Sequence, residues 1–486
     1  MICISVTPES RQLAKVDLFN AAGQCDLIEL CLDRLLKEPD VKDLIEGAKK
    51  PVLISCRRQE DGGHFKGTED ERLMLLRQAI LANPAYIELD LDAAHKIPRF
   101  GKVQRVISHT SLDRPLGSNI DAIFDEAVAA KADVIKFTWP TQTLEAAWPL
   151  LAAVSQKRSL PVVGLGLGRC GLTFSLLGRK YGSPWIYAAL EKGMEAFPGQ
   201  PSVGDLDNLY RWRQVGPKTR FIGVVGFNEM ELATVKVLNA AFDQLDMNTR
   251  CLPFDIKGTD QLGKMLDILK IPAVIATPKY GRALLGLVEK MDDVTKQAQY
   301  ADLLLKQPDG WQGFNLIGRV ALKALEAKLG KQSAEERPLD RRNAMILGSG
   351  GLAQALAVGI HKRNGLVSLC SGDDAEAQKL AGDTGSRYVP LAKLYETLVD
   401  VVIATVTNFD HGTKKTPINP SLLRAGQAFL DVTDPPGESP LCQEARDRGC
   451  KVVEPTEVFA EYVGQIFKSL TGQDLPKEAF AAGLGE

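Results

Sequence analysis

The sequence lacks an excess of either charge: Lys plus Arg number 59 and Asp plus Glu 61 among 486 residues, a formal net charge of -2. It carries no basic stripe interleaved with aromatics, so nothing attracts a polyanion and nucleic acid is not an expected partner. No uninterrupted apolar run approaches a bilayer's width, which argues against a membrane partner. The amino terminus, MICISVTPES, reads as a strand and lacks a basic segment followed by an apolar signal core, so the expectation is a cytoplasmic protein. The nine cysteines, Cys3, Cys25, Cys31, Cys56, Cys170, Cys251, Cys370, Cys442 and Cys450, show no CxxC or compact Cys/His pattern. They read as small core residues, with neither a disulfide framework nor a metal site expected. Disorder and fibrous repeats are also excluded, because 45% of the residues are hydrophobic. The length predicts two or three domains, and one sequence sets no oligomeric state.

What is present begins with a run of short strands. ICISV, DLIELCLD, PVLISCR, YIELDLD, RVISHTS, DVIKFTW, PVVGLGLG and PWIYAAL recur along the first part of the chain. Between most of them lie helix-length stretches such as DERLMLLRQAILANP and SNIDAIFDEAVAAKA. The pattern predicts an α/β fold whose first domain, residues 1–212, is an eight-stranded (β/α)8 TIM barrel. Glu29 follows the second strand, Arg57 the third, His109 the fifth and Lys136 the sixth. These positions fall at strand carboxyl ends, where barrel enzymes assemble their sites. Lys136 sits among apolar and β-branched neighbours in ADVIKFTWP, a setting in which a lysine can be held as a neutral amine and attack a ketone. His109 supplies a proton-transfer group of suitable pKa. Together they suggest imine chemistry, set against the plainer reading of a buried structural lysine and a core histidine.

The rhythm changes near VGPKTRFIG. Residues 218–318, with FIGVVGF, NTRCLPFD and PAVIATP, predict a small α/β domain, and residues 319–455 a Rossmann-like nucleotide domain opening at NAMILGSGGLAQALAVGI. Gly348, Ser349, Gly350 and Gly351 form its turn, where backbone amides can approach a pyrophosphate at a helix start. The second strand of that domain ends at Ser371. Asp373 or Asp374 is left as a ribose contact or an N-cap, and the choice between NADP and NAD stays open. Residues 456–486 are expected to be one closing amphipathic helix.

IELCLD, SCRRQEDGG, ISHTS, DVIKF and FPGQ together resemble type I 3-dehydroquinate dehydratase, the Schiff-base enzyme of the shikimate pathway, across the whole barrel. The resemblance implies that Lys136 forms the imine with 3-dehydroquinate and that His109 moves the protons, with no cofactor. It makes Glu29 and Asp61 the acidic positions that orient His109 and substrate hydroxyls, Asp61 replacing the usual glutamate. Arg57 becomes a substrate-binding arginine and Gln200 the lid glutamine. The chain departs from that pattern at Cys31, where an arginine is usual, at Ser175, which aligns with a second clamping arginine, and at Ala196, which aligns with a lid serine. Arg169 or Arg179 is the candidate replacement.

From about residue 221 onward, FIGVVGFNEMELATVKVLNAAF, GSGGLA, DVTDPP and LCQEARDRGC resemble shikimate dehydrogenase. Its carboxylate-binding serines align with Leu232 and Thr234, its catalytic lysine with Tyr280 beside Lys279, its catalytic aspartate with Ile317 after Asn315, and its late glutamine with Tyr462. Leucine and isoleucine neither donate nor accept hydrogen bonds. The expectation is a dehydratase joined to a diverged dehydrogenase-like region whose activity is left open. Lys279, Thr234 and Asn315 are the remaining candidates for a second site acting on 3-dehydroshikimate or shikimate. The alternatives are an active bifunctional enzyme with NADP and a non-catalytic regulatory or scaffolding protein.

Overall fold

A computed structural model describes residues 1–485 except 38, 116–118, 277, 331–336 and 412–413. The chain divides into two compact units, Met1–Thr219 with Phe254–Lys257, and Arg220–Pro253 with Gly258–Glu486.

The first unit is built on eight parallel strands, β1 (Ile2–Val6), β2 (Leu27–Cys31), β3 (Val52–Ser55), β4 (Tyr86–Asp90), β5 (Gln104–Thr110), β6 (Val134–Pro140), β7 (Val162–Leu167) and β8 (Ile186–Ala189). They are ordered β7-β6-β5-β4-β3-β2-β1-β8, a nearly closed barrel in which each neighbour pair is parallel. Helices return the chain between strands. The helix Glu69–Leu81 starts at a capping box in which Thr68 and Glu71 satisfy each other's free backbone amides.

Inside the barrel the side chains are layered. Cys3, Leu27, Leu53, Val106, Val134, Val163, Trp185 and Tyr187 belong to one buried apolar cluster. Two residues further along five of those strands stand Ser5, Glu29, Ser55, Ser108 and Lys136, all buried polar groups. Because a strand repeats its facing every second residue, they share the inner face and form a polar layer above the apolar one. Glu88 joins that layer from β4, two residues after Tyr86.

The second unit holds two six-stranded sheets. The first is ordered β10-β9-β11-β13-β14-β12, from β9 (Arg220–Val225), β10 (Thr249–Phe254), β11 (Ala273–Ala276), β12 (Lys290–Met291), β13 (Leu303–Gln307) and β14 (Gly310–Phe314). The other sheet uses β15 (Asn343–Leu347), β16 (Leu366–Cys370), β17 (Arg387–Tyr388) and β18 (Val401–Ala404). A small hairpin follows, β19 (Asn408–His411) with β20 (Lys414–Pro417), before the sheet resumes with β21 (Ala428–Asp431) and β22 (Lys451–Val453). Its order, β17-β16-β15-β18-β21-β22, is fully parallel and is the doubly wound order of dinucleotide-binding domains.

The carboxyl end departs from the expected single helix. Two helices form, Pro455–Thr471 and Lys477–Leu484. Gly472 ends the first in the left-handed conformation at φ 75°, and Pro476 precedes the second. The second helix packs so closely on Glu229–Gln244 that a Cβ at Gly483 would collide with Val237. No helix among the described residues is long and apolar enough to cross a membrane.

Candidate active site

Lys136 is only 1% exposed. Its Nζ donates to both oxygens of Glu88, at 2.8 and 3.1 Å, lies 3.8 Å from Glu29 Oε1, and stands 4.5 Å from the centre of the Tyr187 ring. A buried ammonium without such partners would cost several kcal/mol, and the Glu88 carboxylate is what makes this placement tolerable.

Glu29 accepts from Ser5 Oγ at 2.6 Å, and Ser5 Oγ in turn accepts from Gln200 Nε2 at 3.1 Å. Burial works to raise the Glu29 pKa, but the charges of Lys136 and Arg57 outweigh it and hold the carboxyl below its ordinary value. Arg57 Nη1 lies 3.9 Å from Glu29 Oε1, and Nη2 donates to Cys31 Sγ at 3.2 Å. The guanidinium sits 4.4 Å from the centre of the Phe197 ring. Burial opposes its charge, while the negative charges of Glu29 and Asp33 raise its pKa. Burial likewise pushes the Cys31 thiol upward and keeps it protonated. Asp33 shapes the neighbouring loop by accepting from the backbone amides of Arg57 and His64, at 3.4 and 3.0 Å.

Three atoms of charged groups in this cluster, Glu29 Oε1, Arg57 Nε and Arg57 Nη1, have no hydrogen-bond partner, and neither does the Tyr187 hydroxyl. Leaving charged groups unsatisfied in a protein interior is costly, so such atoms mark a place where a polar ligand can complete the network. The segment Ala196–Gln200 packs over the cluster. Gln200 Oε1 accepts from the Ala196 amide at 2.8 Å, and Ala196 and Phe197 join the apolar cluster of the barrel interior. A cavity of about 690 Å³ opens at the ends of β2 and β3, lined by Asp33, Arg34, His64 and Phe65 among others, but Lys136 is not part of its wall.

His109 and Asp61 stand apart from this network. Across β5 and β6 the residue opposite Lys136 is Ser108, while His109 is opposite Phe137 and so falls on the alternate strand position. Burial lowers the pKa of His109, partly opposed by the negative charges of Asp61 and Glu126. Asp61 accepts from Arg58 Nε at 2.7 Å. Glu29 therefore faces Lys136 and Arg57, while the resemblance implies that it orients His109 and substrate hydroxyls.

The replaced arginines have definite fates. Cys31 receives a hydrogen bond from Arg57, and Ser175 donates to its own helix, to Gly171 O at 2.9 Å. Arg179 lies 5.2 Å from the Trp212 ring centre and, behind burial, helps lower the pKa of the Met1 amine. Met1 precedes β1, so Arg179 is at the barrel's amino end and cannot replace a clamp at the carboxyl end. Arg169 follows β7 at the carboxyl end and is exposed.

Sequence reading missed Glu88. Its signal was an acid at the same strand parity as Tyr86, which the apolar layer requires to point inward.

In the second unit, Gly348 has φ 119°, and any Cβ there would collide with Thr405 Oγ1. The helix Gly351–His361 follows directly, and the space around a Cβ at Gly350 is open. A 290 Å³ cavity is lined by Gly350, Gly351, Thr405, Thr433, Lys279 and Glu231 among others. The turn fits a pyrophosphate, with Gly348 giving the tight bend and the helix amides facing open space. The remaining candidates do not converge on that cavity. Thr234 Oγ1 donates to Met230 O at 2.7 Å in its own helix, and Asn315 Oδ1 accepts from the Gly318 amide at 3.2 Å as a helix cap. Lys279 reaches the cavity wall and also donates to Tyr280 OH at 3.1 Å. Ile317 and Tyr462 are fully buried. The Tyr300 ring is wedged between Gly281 and Gly351, where a Cβ on either would strike it.

Comparison with known proteins agrees with this division. Residues 2–217 match the family model described as type I 3-dehydroquinase. The chain is 24% identical over 504 residues to the chloroplastic bifunctional 3-dehydroquinate dehydratase/shikimate dehydrogenase of Arabidopsis thaliana, covering 99% of this chain and 83% of that protein. It is 27% identical over 219 residues to the 3-dehydroquinate dehydratase of Methanocaldococcus jannaschii, covering 43% of this chain and 98% of that one. A solved shikimate 5-dehydrogenase from Thermus thermophilus, in complex with NADP(H) and shikimate, is 20% identical with a TM-score of 0.46 and covers 55% of this chain and 99% of that one. Residues 2–217 thus belong to the type I 3-dehydroquinase family, joined in this chain to a diverged shikimate-dehydrogenase-like region.

Proposed function

We propose that the barrel dehydrates 3-dehydroquinate to 3-dehydroshikimate through an imine at Lys136. The observation that carries the reading is the buried Lys136 amine 2.8 Å from Glu88, beside Glu29 and Arg57 atoms that lack partners. Lys136 Nζ adds to the substrate ketone, and the carbinolamine loses water to give an iminium. That cation accepts the electron pair left when the adjacent C–H loses its proton. The electrons return as the β-hydroxyl departs, protonated as water, and a second water hydrolyses the imine to release product and free Lys136.

The proton leaving the Lys136 ammonium has an acceptor at hydrogen-bond distance in Glu88. His109, whose neutral form is favoured by burial, supplies the acid–base steps on substrate once it turns toward the bound ligand. Arg57 is the guanidinium available for substrate oxygen or carboxylate, and Gln200 closes over it. With Cys31 and Ser175 in place of two guanidinium groups, Arg57 carries more of the substrate's charge than such a site usually asks of one residue.

The second unit, in this reading, keeps a nucleotide-binding frame without the groups for reducing 3-dehydroshikimate. Ile317 brings no ionisable side chain to the expected aspartate position, and Asn315 is committed to a helix cap. The test is direct. Purified full-length protein given 3-dehydroquinate forms 3-dehydroshikimate, and the same protein with NADPH or NADH does not reduce 3-dehydroshikimate. Absence of the first reaction in folded protein defeats the barrel assignment, and presence of the second defeats the assignment for the other unit.

A further inference from the structure

The glycine turn between β15 and the helix Gly351–His361 has an unusual neighbour. Ser349 Oγ lies 3.1 Å from Ser371 Oγ, at the end of β16, and donates to Glu376 Oε2 at 2.9 Å. Glu376 is the third residue of the helix Asp374–Thr384, whose N-cap, Asp373, accepts from the Glu376 amide at 3.0 Å. A glutamate at that position commonly reaches back to the N-cap amide to complete a capping box. Here its carboxylate instead crosses to the neighbouring turn, while the Asp373 amide is left to Ser371 Oγ at 3.4 Å.

In doubly wound domains the space between the first glycine turn and the end of the second strand takes the adenine ribose. An acid there accepts from the ribose hydroxyls, and a basic residue is needed when the 2′-hydroxyl carries a phosphate. In this chain the strand itself ends in Ser371, and the carboxylate arrives from the following helix. Residues 371–378, SGDDAEAQ, bring Asp373, Asp374 and Glu376 and no lysine, arginine or histidine. Asp374 is held by Tyr388, whose hydroxyl donates to it at 2.6 Å. A 2′-phosphate beside Ser371 would meet the carboxylates of Asp373, Asp374 and Glu376 first, and the first basic residue along that helix is Lys379.

Resting on the nucleotide-binding reading of the second unit, we propose that its turn selects a dinucleotide without a 2′-phosphate, NAD(H) over NADP(H), and that Glu376 makes the choice. The carboxylate is placed to exchange its bond with Ser349 for one from a ribose hydroxyl, a substitution that conserves hydrogen bonds. A phosphate in the same place adds like charge to like charge.

The test is calorimetric titration of the full-length protein with NADH and with NADPH, for wild type and Glu376→Gln, which reads binding independently of any turnover. Glu376 is exposed, so the substitution leaves packing alone. The expected result is NADH binding tighter by roughly tenfold or more, the factor a ~1.4 kcal/mol repulsion gives, with the ratio shrinking in Glu376→Gln. NADPH binding as tightly as NADH, or a ratio unmoved by the substitution, overturns the assignment to Glu376. Binding of neither nucleotide overturns the nucleotide-binding reading and the selectivity with it.

Discussion

Lys136 of β6 and Glu88 of β4 meet at 2.8 Å across the intervening strand β5, both inside the barrel and both almost completely buried. A carboxylate in that position serves two ends. It stabilises a buried ammonium in the resting protein, and it can take the proton that the amine must lose before attacking a carbonyl.

Glu88→Gln keeps the shape of that contact and removes the proton acceptor. Turnover of 3-dehydroquinate is expected to fall by roughly 10²-fold or more, and removal of one charge from a buried pair is expected to cost about 3–5 kcal/mol of stability. Saturating kinetics and urea unfolding measure the two effects separately. Undiminished kcat in a folded variant would remove Glu88 from the proton path.

Arg57→Lys retains a positive charge but loses the planar fork, its bond to Cys31 and its stacking on Phe197. Loss of a charged hydrogen bond to substrate, about 1.5–3 kcal/mol, is expected to raise KM roughly 10- to 100-fold with a smaller change in kcat. Unchanged KM would mean that substrate charge is held elsewhere, with Arg169 the next residue to replace.

Asp302 gives a pH dependence in the second unit. Burial pushes its pKa up to about 7, although the backbone amides of Ile317 and Leu316 pull the other way with bonds of 2.8 and 2.9 Å. The folded state then binds a proton that the unfolded chain releases near pH 4, so this group's contribution to stability declines as pH rises from about 4 to 7. The shift corresponds to about 4 kcal/mol once Asp302 is ionised. Asp302→Asn should lose that part of the pH dependence, which urea midpoints at pH 5 and pH 8 would register. An identical pH response in both proteins would show that Asp302 is not the group responsible.

Gly348→Ala forces a side chain onto a residue at φ 119° and drives its Cβ into Thr405. The expected cost is about 1–3 kcal/mol or more, seen as an earlier thermal transition together with loss of nucleotide affinity. A variant as stable as wild type would show that the turn relaxes without strain.

Much of this was legible in the sequence because the barrel's periodicity is regular. Alternation along β1, β2 and β6 puts Ser5, Glu29 and Lys136 two residues above Cys3, Leu27 and Val134. Arg57 follows β3 as its sequence position implies, whereas Glu29 and Lys136 are each the third residue of β2 and β6 and lie inside those strands rather than after them. Glu88 escaped for a physical reason. In YIELD, alternation suggests apolar residues inside and acids in solvent, but Ile87 and Leu89 face the covering helices while Glu88 faces the barrel's polar layer. His109 is the penultimate residue of β5, as its sequence position implies, but its parity with Phe137 is visible only in the pairing register. At the carboxyl end, Gly472 and Pro476 carried a stop signal within an otherwise helical pattern. The Tyr300 ring beside Gly351 could not be read at all, since tertiary folding alone brings those positions together.

The central claim is the imine, and reduction by borohydride in the presence of 3-dehydroquinate tests it most directly. The account predicts a stable adduct whose mass equals substrate minus water plus two hydrogens when the substrate-derived imine is trapped, located at Lys136 by peptide mapping and absent from Lys136→Arg. An adduct on another lysine, or turnover of 3-dehydroquinate by Lys136→Arg at the wild-type rate, would contradict it.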